Sequence, residues 1–422
     1  MANGFSKSQM IFFEKVIEGF NNANLTARNC DVFTPSMEDV EHSGLTIRRP
    51  VPMIGEVTTG RDVTGTYKDI TELTVPMTLA DGDVLNHPFT LNAQELNDSR
   101  RRDKAAVAAA QALSTKIDSL VSDKVSLYGS LVCTETSDFT DYSHLAKGAT
   151  ALAEREVNVS EERALALNPS MARMMANALA ARTPGGTDVV MNAYERSILP
   201  SVAGFETLQS NVITSLTGAA DPVTAVFGAN QRKTPTVFDG TNSSAADNRY
   251  MTLNVSDNLM ANGDCFTIAG VNSVGMISKK DTGRLQTFRV ISGGGTGALV
   301  ISPAIIPVDQ AASAFKKYGN VTTTPADTAA ITRLNSATKS PSIFWVKRAV
   351  TLFQGKFAID DLGPTVAVTR EVTDSGIEII FARQGSIDDL SAKYRLTCWV
   401  SANVLEPQMA GIYLPNQATA FG

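Results

Sequence analysis

Residues 92–128 read NAQELNDSRRRDKAAVAAAQALSTKIDSLVSDKVSLY, with no glycine or proline before Gly129. Leu96, Val107, Ala110, Leu113, Ile117, Leu120, Val121 and Val125 recur at a 3.6-residue period, which predicts one amphipathic helix. Asn92 followed by Glu95 has the form of a capping box, the asparagine taking a free amide and the glutamate reaching back. At 1.5 Å per residue such a helix is about 55 Å long, far beyond the usual three or four turns. The run Ala105–Ala112 strips bulk from its middle, so another backbone can pack closely there. A helix of this kind is rare in a compact enzyme domain and typical of a strut.

Toward the N-terminus, Met10, Phe13, Val16, Ile17 and Phe20 fall at helical spacing over residues 8–22, with Glu14 and Glu18 on the other side. Residues 45–91 change character. Pro50, Pro52, Gly55, Gly60, Gly65 and Pro76 punctuate extended segments, and the alternation from Tyr67 to Val75 predicts a strand with one solvated face. This stretch is too polar to be a core by itself, and reads as an extended arm that packs on something else.

Toward the C-terminus, residues 131–225 alternate helical and extended pieces. Helices are expected over 143–156 and 160–182, the second opening on Ser160-Glu161-Glu162 and stopping at Pro184-Gly185-Gly186. The three methionines of PSMARMMANALAA (169–181) suit either an adaptable binding surface or core filling, and core filling is the expectation. Residues 226–340 are rich in Thr, Val, Ser, Gly and Asn. Strands are expected at Tyr250–Val255, Gly263–Ile268, Val274–Ser278, Thr287–Ile291 and Ala298–Ile301, forming a small barrel or sandwich with polar loops at 239–249 and 279–286. From 341, the apolar strands around Ile343, Ile377–Phe381 and Tyr394–Val400 are expected to rejoin the core that 131–225 began, making the β module an insertion.

Composition narrows the function. A chain of 422 residues suggests about three domains, and 43% hydrophobic with 19% charged residues is ordinary globular composition. With 37 basic against 43 acidic residues, the net charge of −6 is a poor match to a dedicated nucleic-acid binder. Cys30, Cys133, Cys265 and Cys398 offer no CxxC spacing, so buried reduced thiols are expected rather than zinc or redox pairs. The N-terminus shows no signal-peptide pattern, and no run of 18 apolar residues suggests a membrane span.

Candidate chemistry is thin. Asp138, Asp141 and His144 could ligate a divalent metal, but a loop leading into a helix accounts for them better. Gly293–Gly297 lacks the lysine and following helix of a phosphate loop and reads as a hairpin turn. Arg100-Arg101-Arg102 lies between Asp98 and Asp103, which favours helix-surface pairing. Lys279, Lys280 and Arg284 cluster on one stretch of the β module, where contact with an acidic neighbour competes with simple solvation. No nucleophile elbow, zinc-protease motif, Walker loop or paired-acid constellation is present, so a structural protein with no catalytic role, cofactor or metal is expected.

An extended arm, a hairpin arm, one very long helix, an α/β body and an inserted β-domain match a known plan. The chain resembles the major capsid proteins of tailed double-stranded-DNA phages with the Hong Kong 97 fold, an α+β class. More narrowly, it is similar to the coat proteins of short-tailed phages of the P-twenty-two type, which carry an inserted β-barrel. The residues behind the resemblance are Asn248–Leu253, Gly263–Val271, Thr287–Val290, Ile343–Trp345, Phe381–Ile387, Ala402-Asn403 and Gly411–Pro415.

The resemblance implies an N-terminal arm at 1–50, an E-loop at 51–91, a spine helix at 92–130, A and P regions at 131–225 and 346–422, and the inserted domain at 226–345. It also implies self-assembly into pentamers and hexamers of an icosahedral shell around packaged DNA. A scaffolding protein and a portal protein would be partners, with no membrane, and assembly in the bacterial cytoplasm would give a virion component. Contacts between capsomers would fall on Asp239, Asp247, Arg249, Lys279, Lys280 and Arg284, and a scaffolding dock on Glu14 and Glu18. Loop 239–249 is sparsely charged for that purpose. The alternatives are an encapsulin-type nanocompartment shell, which shares the fold and lacks the barrel, and a β-rich surface-binding protein.

Overall fold

The computed structural model describes residues 7–36, 46–92, 94, 95, 98–181, 199, 201–218, 224–239, 247–256, 260–309, 313–357, 366–386 and 391–421, apart from 56, 58, 63, 65–66, 68–70 and 296. The chain divides into two compact units. The first comprises Met1–Ile47, Met77–Val121 and Thr351–Asn403, the second Arg48–Pro76, Ser122–Val350 and Val404–Gly422.

In the first unit, helix α1 (Lys7–Ala23) buries Phe12, Phe13, Val16, Ile17 and Phe20 and exposes Glu14 and Glu18, as its periodicity predicts. Met10, expected on the buried face, is exposed at the first turns. The long helix, α2 (Ser99–Tyr128), whose residues up to Val121 belong to the first unit and the rest to the second, is about 45 Å long at 1.5 Å per residue. Ala106, Ala109, Ala110, Leu113, Ile117 and Val121 form its buried stripe, whereas Val107 is exposed. The alanine run does allow close approach: a Cβ on Gly19 of α1 would lie 3.1 Å from the Cβ of Ala110.

The start of α2 differs from the expected box. Asp98 caps it, its Oδ1 accepting from the amides of Arg100 at 3.0 Å and Arg101 at 3.4 Å. Glu95 does reach back to the amide of Asn92, at 3.1 Å, but Asn92 is the last residue of a strand. Leu96 lies outside the described residues.

The first unit's sheet draws on distant parts of the chain. Its strands are β1 (Asp31–Phe33), β4 (Val84–Asn92), β15 (Val350–Gln354), β16 (Ala367–Val372), β17 (Glu378–Ser386) and β18 (Ser391–Val404). The order is β1-β15-β18-β17-β16, with β4 paired along β18 from Ser391↔Asn92 to Trp399↔Val84. This corrects the expectation that the strands after 346 all return to the 131–225 core. The partners are set by long-range register, which no local period announces. A two-stranded ribbon pairs β2 (Thr46–Pro50) with β3 (Thr74–Thr78). The strand expected from Tyr67 starts only at Thr74, and residues 68–70 lie outside the described set.

The second unit contains two further sheets. One, of order β5-β19-β14-β6-β7, joins Leu131–Thr134, Ala410–Leu414, Ser342–Val346, Arg163–Leu167 and Glu206–Gln209. Strands β6, β14 and β19 are buried at every position, as expected of strands covered on both faces. Helices α3 (Tyr142–Glu154) and α4 (Pro169–Ala181) contribute Leu145, Leu152, Met171 and Met175 to its core, so the methionines are core filling.

The helix expected over 160–182 is in fact strand β6 followed by α4. A short apolar run of small residues fits either period, and Asn168 with Pro169 supplies the true start. The Asn168 side chain accepts from the amide of Ser170 at 2.9 Å, and proline sits at the first helical position. The expected stop at 184–186 lies outside the described residues.

Between β7 and β14 comes the other sheet, of order β8-β13-β10-β11-β12-β9 and antiparallel throughout. Its strands are Thr224–Ala225, Ala330–Arg333, Cys265–Val274, Asp281–Ser292, Ala298–Ser302 and Met251–Asn254. Phe266 and Phe288 stack at 5.6 Å over a core of Leu253, Ile268, Val271, Val290, Leu299 and Ile301. The stretch 279–286, expected as a polar loop, is mostly the start of β11, and the hairpin turns at 275–280.

Candidate assembly surfaces and the seam beneath the inserted sheet

Helix α2 ends with carbonyls that lack intrahelical partners, and strands β11 and β12 supply donors to that end of the chain. Arg289, fully buried, donates from Nη2 to the carbonyl of Ser126 and from Nη1 to Cys265 Sγ at 2.9 Å. Thr287 Oγ1 donates to the carbonyl of Ser130 at 2.5 Å, and Ser302 Oγ to that of Tyr128 at 3.4 Å. A cation at a helix C-terminus also meets the negative end of its dipole. Phe288 and Val290 of β11 face the inserted core, so residues 286–290 of this strand are buried on both sides, by apolar packing on one and polar bonding on the other.

Arg155 extends this seam. Its guanidinium donates to Gln286 Oε1 on β11 and to Gln408 Oε1 at 2.6 Å. Complete burial drives its pKa down to about 10, with Glu154 opposing. The adjacent Glu156 holds the hairpin turn, its Oε2 accepting from the amides of Ile277 at 2.7 Å and Ser278 at 2.8 Å. Burial alone would raise the Glu156 pKa, but the bonds from Ser278 and Ile277 bring it below the usual carboxylate range. A Cβ on Gly275 would lie 2.7 Å from Glu156 Cδ, so a side chain there would push the carboxylate away from the turn.

Most charged residues singled out as inter-subunit contacts are engaged within the chain. Arg249 pairs with Asp247 at 2.8 Å and donates to the carbonyl of Val404, also at 2.8 Å. Burial works against its charge, but Asp247, Tyr250 and Tyr128 together outweigh it and the Arg249 pKa rises. Lys279 donates to the carbonyl of Gly319 at 2.9 Å, and burial pulls its pKa down to about 8 despite Glu156. Arg284 pairs with Glu154 at 3.1 Å. Asp239 and Lys280 are exposed, and residues 240–246 of the loop between Asp239 and Asp247 lie outside the described set. On α1, Glu14 and Glu18 face solvent, while Lys15 between them is paired with Asp103 at 2.6 Å.

Among the described residues, no group of His, Cys, Asp and Glu is placed to hold a metal. Asp141 instead caps α3 through the amide of Tyr142 at 2.7 Å, and Asp138 accepts from Asn416 at 2.5 Å. All four cysteines are buried thiols outside any disulfide, and burial pushes the thiol pKa of Cys133 and Cys398 up to about 12. No described helix is long and apolar enough to cross a membrane.

The family model described as P22 coat protein, gene protein 5, matches residues 1–416. The chain belongs to that family. It is a major capsid protein, a structural virion component whose copies assemble into an icosahedral shell. Solved structures similar to it include the capsid of the cyanophage P-SCSP1u, at 12% identity, TM-score 0.46, and 93% of this chain against 88% of that one. A virus-like particle from Pyrococcus furiosus gives 10% identity and TM-score 0.42 over 97% and 100% of the two chains. The CUS-3 coat protein I-domain is 40% identical over 28% of this chain and 99% of its own, at TM-score 0.24.

The residues of the seam, Arg155, Gln286, Thr287 and Arg289, escape a reading of the P22 coat protein family sequence alone. An arginine alternating with Phe288 and Val290 reads as a solvated strand face. The one hint is that Thr287 and Arg289 occupy a strand whose apolar face is already complete.

Proposed function

We propose that this coat protein fills both pentamers and hexamers of its shell, and that a basic scaffolding protein docks on Glu14 and Glu18 during assembly in the bacterial cytoplasm. The observation that carries this reading is the exposed acidic face of α1. Lys15, which could neutralise it, is already paired with Asp103. Exposed carboxylates of one sign attract a basic partner and set its rate of encounter. The portal protein would occupy one vertex, and an acidic chain suits an inner wall that leaves packaged DNA unbound.

Contacts between capsomers would use the exposed Asp239 and Lys280, with Asp247, Arg249, Lys279 and Arg284 shaping the surface that presents them. The test is co-expression with the scaffolding protein. Glu14→Lys with Glu18→Lys should abolish scaffolding incorporation while leaving the subunit folded. Normal recruitment and normal shells from that variant would refute the dock.

A further inference from the structure

The first unit encloses a cavity of about 160 Å³, walled by Phe12, Phe89, Phe381 and Tyr394 and entered by two arginines, Arg102 of α2 and Arg383 of β17. The rings form one cluster, with Phe89 and Tyr394 stacked at 5.1 Å and Phe381 and Tyr394 at 5.7 Å. The Nε of each arginine is buried with no hydrogen-bond partner. Among the described residues, neither guanidinium pairs with a carboxylate, although the neighbouring cations do: Arg101 with Glu95 at 3.0 Å and Lys15 with Asp103 at 2.6 Å. Two like charges sharing one aromatic chamber repel each other, and each has lost part of its hydration. The positive end of α2, which starts at Ser99, adds to the same potential.

We propose that this chamber is a carboxylate-binding site, filled in the shell by an acidic side chain of a second copy of the chain. Guanidinium groups meet carboxylates through paired N–H donors, so one carboxylate satisfies both buried Nε atoms at once. Its methylene stem lies on the rings. The pocket has room for the side chain of Asp or Glu. The source follows from charge and assembly: each copy carries 43 acidic against 37 basic residues, and copies are packed against one another in the shell. The proposal rests on self-assembly and not on the scaffolding dock.

A map of wild-type shells at side-chain resolution tests the occupant. Density continuous with a neighbouring copy and ending between Arg102 and Arg383 is expected. An isolated ion, a side chain of the same copy or solvent alone overturns the proposal.

Arg102→Gln with Arg383→Gln tests the energetics. The unassembled variant should melt at or above the wild-type temperature, because unpaired buried charge is gone, while the concentration needed for assembly rises at least tenfold. Excess sodium acetate, against sodium chloride of equal ionic strength, should raise the melting temperature of the unassembled wild type and not that of the variant. An unchanged assembly threshold, or no response of the wild type to acetate, overturns the site. Should the glutamine pair fail to fold, Arg102→Lys with Arg383→Lys decides: charge without the fork should give a threshold above wild type, and an unchanged one overturns it.

Discussion

Gly148 of α3 lies directly against the phenol of Tyr413 on β19. A Cβ at Gly148 would stand 2.8 Å from Tyr413 Cζ, and the hydroxyl already donates to the carbonyl of Leu145 at 2.6 Å. The ring cannot retreat, because it packs on Phe344 at 4.8 Å and edge-on to Phe139 at 5.6 Å. Gly148→Ala should therefore destabilise the second unit by ~1–3 kcal/mol, the usual cost of overpacking. Urea unfolding of the unassembled chain measures it. Combining Gly148→Ala with Tyr413→Phe should recover part of the loss, and strict additivity would show that the two do not meet.

The seam makes a second prediction. Arg289→Ala opens a cavity beside Phe288 and strips the Ser126 carbonyl of its donor, so a loss of ~3–5 kcal/mol is expected. Arg289→Met refills the space with an apolar chain and should cost roughly half as much, since a buried charge is itself expensive. Equal losses for the two variants would mean that packing contributes nothing at this position.

Asp118 supplies a dependence on pH. Burial raises its carboxyl pKa, and the bonds from Thr26, Oγ1 at 2.5 Å and the amide at 3.1 Å, offset only part of that. Below the ordinary range near about pH 4, both folded and unfolded chains hold the proton and the group is neutral in its effect. As pH rises, the unfolded chain releases its proton first, so native stability falls through the window up to the raised value and the full penalty persists above it. Asp118→Asn keeps an oxygen for Thr26 and removes the penalty. The gap between variant and wild-type urea midpoints should widen as pH rises from about pH 4, and a constant gap would be the refuting result.

The elements with a repeating signal were legible in the sequence: the Ala-rich α2 with its buried Ala106, Ala109 and Ala110, the amphipathic α1, and the short strands around Phe266 and Phe288. What was not legible is pairing. Nothing near Tyr394 announces that it faces Phe89 across β18 and β4, because register over such separations is fixed by complementary burial on both strands. Likewise Arg163–Leu167 has too few residues to separate a buried strand from a helix, and its assignment waits on Phe344 and Trp345 beside it. The intrachain partners of the charged candidates were illegible for a related reason. Arg249 and Lys279 look solvated in a polar stretch, whereas Val404 and Gly319 carbonyls far along the chain hold them.

Strand β11 carries a practical consequence for anyone who would engineer this chain as a display vehicle. Cutting out residues 226–340 and splicing the ends would not return a simpler ancestor-like subunit. The carbonyls of Ser126 and Ser130 would lose their donors, Arg155 would lose Gln286, and Glu156 would lose the turn it clasps. A workable deletion has to rebuild that footing, with a short hairpin that restores an arginine and a threonine at the foot of the long helix. The inserted sheet and its foundation share one strand, so grafts belong in the loops away from the seam and never in the strand itself.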